Sequence, residues 1–148
     1  MSLEKEINDG IKAAMLAKEK VRLAGLRAVK AEILLAKTAD GSDEISDGAV
    51  LKIIQKLVKQ RKESAAVYTQ NNRPELAENE LAEAAVLEVF MPKQLSGEEL
   101  ETVLKAIIAQ VGAASPADMG QVMGVATKPL AGQADGRAIS EAVKKLLQ

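Results

Sequence analysis

The stretch Ile45–Asn71, ISDGAVLKIIQKLVKQRKESAAVYTQN, decides the fold class. Ser46 stands between Ile45 and Val50, so it reads as a helix N-cap inside a hydrophobic staple, its side-chain oxygen taking a backbone N–H that the first turn leaves unpaired. At 100° per residue Ile54, Leu57, Val58, Ala65 and Tyr68 form one stripe, and Lys52, Lys56, Lys59 and Lys62 fall on the exposed side. That is one long amphipathic helix.

The same punctuation recurs along the chain. Ser96 has Glu99 three residues on, with Leu95 and Leu100 at the staple positions; Ser115 is followed by Pro116 and Asp118; Asp135 can cap a last helix, with Ala134 and Ile139 flanking it. Helices are predicted near 2–17, 19–38, 46–71, 74–91, 97–111, 116–127 and 136–147, and no segment alternates convincingly with period two. TADGSDEIS at 38–46 and NNRP at 71–74 read as loops. Pro92 biases Met91 away from helix, which makes MPKQLS at 91–96 the best boundary. The expectation is an all-α chain of two helical bundles: four helices in 1–92 and three in 93–148.

Composition agrees and narrows the function. A core of Ala, Leu, Val, Ile and Met favours helices. With one Tyr, one Phe and no Trp, the chain lacks the aromatic platforms of RNA-recognition sheets and oligonucleotide-binding barrels. It has no Cys and no His, so disulfides, iron–sulfur clusters, thiol catalysis, His-based acid–base catalysis and most zinc sites are excluded; no cofactor and no metal is expected. Net charge is −1, balanced in both halves, so nucleic acid would have to use local patches. No membrane-spanning run or signal-peptide pattern is evident, which makes the cytoplasm the default location.

Charges interrupt three apolar stripes. Arg61 falls near the centre of the third helix's stripe. Glu80 and Glu83 fall within Leu76, Ala84, Leu87, Phe90 and Met91 of the fourth; Arg22 and Lys30 share a face with Leu23, Leu26, Val29 and Ile33 of the second. A lone buried charge is prohibitive, whereas opposite charges that also hydrogen-bond are tolerated. A partly buried network is therefore expected to join Arg61, with Arg22 or Lys30, to Glu80 and Glu83. It would fix helix register; the other readings are an acid–base or metal-holding pair at Glu80 and Glu83, and a polar groove for a partner. The lysine row, with Lys18, Lys20, Arg27 and Arg73, reads as a solvated helix face or as a basic patch for phosphates.

The stretch DMGQVMGVATKPLAGQADGRAIS at 118–140 concentrates glycines but matches neither GxxxxGK[ST] nor a GxGxxG after a strand. Gly120 and Gly124 are spaced for one helix face that another backbone could approach, and Gly132, after Pro129, suits a left-handed turn.

Here the chain also resembles the GatB/YqeY family, small free-standing bacterial proteins similar to the tail of the GatB component of the aspartyl/glutamyl-tRNA amidotransferase. The resemblance rests on KVRLAGLRAVKAEI at 20–33, KQRKES at 59–64 with Tyr68, NRPELAENELAE at 72–83, LEVFMPKQLSGEEL at 87–100, VGAASPADMGQVM at 111–123 and GQADGRAIS at 132–140. The free-standing proteins usually read G-R-A-D-G in the last motif; Gln133 replaces that arginine here and is similar to the G-Q-A-N of the amidotransferase tail. The resemblance implies two bundles, four helices then three, and a link to tRNA. It carries a family label of carbon–nitrogen ligase with glutamine as amido donor, although the catalytic parts of the amidotransferase do not align with this chain. The expected function is a non-catalytic tRNA-binding or amidotransferase-related accessory module. The alternative is a protein-interaction adaptor that docks an amidotransferase or aminoacyl-tRNA synthetase component, and a third is an enzyme using Glu80 and Glu83. The candidate tRNA-contacting residues are Lys128, Gly132, Gln133 and Arg137, with Lys59 and Arg61 secondary.

Overall fold

The structure, a computed structural model, describes residues 2–148, and all regular secondary structure among them is helical. Helices α1 (Leu3–Ala17), α2 (Lys20–Asp40), α3 (Asp47–Gln70) and α4 (Pro74–Glu88) lie in a first compact unit that ends at Met91. A second unit begins at Pro92 and holds α5 (Gly97–Val111), a 3-10 turn at Pro116–Asp118, α6 (Met119–Ala126) and α7 (Gly136–Leu146).

The helix starts follow from their caps. The Ser46 hydroxyl accepts from Ala49 N at 3.1 Å; Ser96 and Glu99 form a reciprocal capping box; the Asp135 carboxylate accepts from Arg137 N at 3.0 Å. Two helix boundaries differ from the sequence reading. Helix α4 stops at Glu88 rather than near 91, because Phe90 N and Met91 N bond three residues back, to Leu87 and Glu88, tightening the chain ahead of Pro92. The 116–127 helix opens with a 3-10 turn, since the Asp118 carboxylate holds Ala114 N and Ser115 N at 2.9 and 3.3 Å.

Each unit buries its own core. In the first, Ile7, Leu26, Val29, Ile33, Val50, Ile54, Leu57, Val58, Ala84 and Leu87 interlock. Helix α2 is central to it: Leu26 lies against Gly10 of α1, and Gly25 lies against Val86, Leu87 and the Glu83 carbonyl of α4. The second core is Leu100, Leu104, Ile107, Val122, Ala126, Leu130, Ala134, Ile139, Val143 and Leu147.

Two packing expectations are corrected. Leu76 is 42% exposed and its neighbour Ala77 is buried instead, so the α4 stripe is rotated by one residue at its start. Gly120 and Gly124 are both exposed, and a methyl group at either would meet no heavy atom within 4 Å. Among the described residues, no neighbouring backbone lies within 4 Å of either Cβ position.

Candidate functional site

The turn between α6 and α7 is built from Leu130, Gly132, Gln133 and Ala134. Leu130 and Ala134 are buried, which fixes the turn to the second core. Gly132 adopts φ 77°, a left-handed conformation that costs an ordinary side chain ~1–2 kcal/mol. Leu95 N donates to the Gln133 carbonyl at 2.9 Å, and the Gln94 side-chain amide donates to the Gly132 carbonyl. This strap across 38 residues has no counterpart in the sequence pattern, which marks Gln94 only as part of a boundary.

Two cations flank the turn, Lys128 at its start and Arg137 in the first turn of α7. Lys128 is exposed and makes no ion pair among the described residues. Arg137, whose side chain is 80% exposed, has Nε 3.1 Å from Glu141 Oε1 one turn on. Such exposed i,i+4 pairs are worth only ~0.3–0.5 kcal/mol, so a stronger anion displaces them readily. Gly132 is buried, so its place is structural rather than at a surface that a ligand backbone approaches. Gln133 is half-buried, and its side-chain amide donates to the Pro129 carbonyl at 3.2 Å, bracing the turn on which Lys128 sits.

A second constellation lies between α3 and α4. Arg61 Nη2 is 3.7 Å from Glu83 Oε1, with both side chains largely buried at 19% and 13% exposure. The Nε of Arg61 is buried without a hydrogen-bond partner. Asn79 of α4 donates to Glu83 at 3.4 Å, a long bond. The resulting ion pair is loose where burial makes a loose pair expensive. Beside it opens a depression of about 550 Å³ lined by Gln60, Arg61, Glu63, Ser64, Val67, Tyr68 and Glu80.

The expected ion network is narrower than the sequence suggested. Lys30 donates to Asn8 Oδ1 at 2.7 Å, and Arg22 pairs with Glu19 at 3.4 Å, so neither joins Glu80 or Glu83. The physical reason for Lys30 is α1: it packs along the side of α2 that carries this lysine and offers its own polar side chain there, a neighbour that stripes on single helices do not reveal. Arg22 finds its carboxylate three residues back at the start of its own helix. Glu80 lines the depression with Arg61 but makes no ion pair among the described residues. The lysine row is partly neutralised, Lys56 by Glu32 at 3.9 Å and Lys62 by Glu88 at 2.7 Å. Lys59 is exposed on the same helix, one residue from the depression.

Two carboxylates are shifted in acidity, both at helix starts of the second unit. The Ser96 backbone N–H, then its hydroxyl, then Lys93 hold Glu99 below its ordinary value. The backbone N–H groups of Ala114 and then Ser115 do the same for Asp118. Among the described residues no group of three Asp or Glu is placed to hold a metal ion, and no helix is long and apolar enough to cross a membrane.

The chain is thus an all-helical protein of two small units, with exposed polar chemistry gathered at a braced turn in one and an α3–α4 depression in the other. The family model for YqeY-like proteins matches residues 4–147, and the chain belongs to that family. Among curated relatives, the "Altered inheritance of mitochondria protein 41, mitochondrial" of Kluyveromyces lactis is 31% identical over 96% of this chain and 82% of its own length. The protein of the same name from Meyerozyma guilliermondii is 33% identical over 68% of this chain and 53% of its own length.

Proposed function

We propose that this chain is a non-catalytic accessory module that binds tRNA, with the turn from Lys128 to Arg137 as a contact corner. The observation that carries the reading is the pairing of a braced backbone with displaceable cations. Gln94, Leu95 and Gln133 hold the turn through three hydrogen bonds, and Lys128 and Arg137 flank it in solvent. Phosphate oxygens are engaged by such groups, and preorganisation lowers the ordering cost of binding. On α6, Gly120 and Gly124 are exposed and carry no side chain, and Gly124 lies four residues before Lys128. The resemblance of the second unit to the amidotransferase tail supplies the identity of the RNA, and the family's carbon–nitrogen ligase label is read as association with that complex. Absence of His and Cys removes the commonest acid–base and nucleophilic side chains, which favours binding over chemistry. The compartment is one that holds tRNA: the cytoplasm, or the mitochondrion that the names of the two yeast relatives carry.

Electrophoretic or fluorescence titration with uncharged tRNA tests the reading. Binding that weakens with salt and drops when Lys128 and Arg137 are reversed in charge supports it; no tRNA binding at low salt overturns it.

A protein-docking reading has its own observation. Leu34 and Leu35 of α2 are 51% and 64% exposed beside exposed Ala31, an apolar strip that suits a helical partner such as an amidotransferase or synthetase component. Co-purified protein retained after nuclease treatment would favour it.

A further inference from the structure

The tRNA reading uses the second unit and leaves the α3–α4 depression of the first unassigned. Two of the segments that carry the family resemblance, KQRKES at 59–64 with Tyr68 and NRPELAENELAE at 72–83, line this one place. Two of its charged groups are only weakly paired within the protein. Arg61 has one long ion pair and an orphaned Nε, and the Glu80 carboxylate makes no ion pair among the described residues. The orphaned Nε is itself buried, so a ligand in the depression meets Arg61 only at the part of the guanidinium that solvent still reaches, and meets Glu80 as a carboxylate with no cation committed to it.

The ligand must offer an acceptor to the exposed edge of the guanidinium, donors to a carboxylate, and a flat apolar face to Tyr68, the only tyrosine in the chain. A simple anion fails the second requirement, because Glu63, Glu80 and Glu83 repel it; a simple cation leaves Arg61 as it was. We propose that the α3–α4 depression binds the base of an unpaired guanine nucleotide. Glu80 accepts from N1–H and the N2 amino group, Arg61 donates to O6, and the ring stacks on Tyr68. Unpaired bases in RNA are recognised in this way, by stacking and by hydrogen bonds on the Watson–Crick edge. Adenine is disfavoured because its N1 lone pair would face the Glu80 carboxylate. The backbone of Arg73 lies at the tyrosine end of α3, its N–H bonding the Tyr68 carbonyl at 2.8 Å, and the residue is exposed; in the proposed complex the sugar–phosphate leaves on that side. The proposal rests on the RNA-binding reading and supplies its base specificity.

The test is a titration of the full chain with GMP, IMP and AMP, and with a short RNA hairpin carrying one loop guanine or adenine in its place. The expected order is GMP, then IMP, then AMP, with about tenfold or more between first and last. Preference for the guanine hairpin without measurable GMP binding assigns the site to RNA rather than to free nucleotide, and also supports the proposal. Glu80→Gln, which keeps shape and fold, removes the preference, and Tyr68→Leu weakens all ligands alike. Equal binding of guanine and adenine ligands, or a preference that survives Glu80→Gln, overturns the proposal. Loss of tRNA binding on reversing Lys128 and Arg137, alongside no base preference, would leave the tRNA reading standing while this one fell.

Discussion

The guanidinium of Arg61 is largely buried, its ion pair to Glu83 is 3.7 Å long, and its Nε has no partner. Removing one member of such a pair leaves the other uncompensated, whereas removing both can be neutral or stabilising. We therefore expect Glu83→Ala to lower stability by ~1–3 kcal/mol in urea titration. Arg61→Met combined with Glu83→Leu should return it to the starting value or above. A double variant no better than Glu83→Ala alone would show that the pair is a net structural asset. Arg61 is legible in the sequence, because a charge at the centre of a stripe needs an opposite charge. The destinations of Lys30 and Arg22 are not, since Asn8 and Glu19 compete for them and the stripe pattern does not encode that competition. The shifted carboxylates give a second expectation at this scale. Glu99 and Asp118 are held below their ordinary values of 4.5 and 3.8 by hydrogen bonds that exist only in the folded chain. Their contribution is complete above those ordinary values and is lost as pH falls through the lowered ones. Urea titrations followed by circular dichroism at a series of pH values should therefore show stability declining below about pH 4.5, and Glu99→Gln should flatten that decline while reducing stability at pH 7.

Among the elements, α6 departs most from its sequence reading. The spacing of Gly120 and Gly124 suits a close-packing face, and the structure leaves that face open. Glycine spacing alone carries no information about whether a neighbour is present. Within a helix and with free space at its Cβ position, Gly124→Ala should raise stability by ~0.5–1 kcal/mol, seen as a higher melting temperature. A loss would mean that something packs there after all. Gly132 behaves in the opposite way: its φ of 77° makes Gly132→Ala destabilising by ~1–2 kcal/mol. Helix positions themselves are legible, because Ser46, Ser96 and Asp135 cap in the structure as their side chains and neighbours suggest. The strap from Gln94 to Gly132 is not, since a single side-chain bond between distant loops leaves no periodic trace.

On the scale of the whole molecule, two separate cores carry two separate surfaces. The second unit, Pro92–Gln148, is of a size at which a single core is marginal. Leu104 is fully buried in it, so Leu104→Ala, costing ~2–5 kcal/mol, is expected to abolish the folded second unit while the first core of Ile7, Leu26 and Ile54 keeps its helices. Residual helicity by circular dichroism, with loss of amide protection confined to residues after Pro92, is the expected pattern. The tRNA proposal belongs to this scale too, because it depends on the second unit presenting its braced turn. The most direct measurement is the affinity of the full chain for uncharged tRNA across a series of salt concentrations, with and without Lys128→Glu and Arg137→Glu. Wild type should lose affinity as salt rises, and the double variant should bind more weakly with a slope shallower by about 1–2 in log–log form. Affinity that ignores both salt and the two substitutions would contradict the proposal that this turn is the tRNA contact.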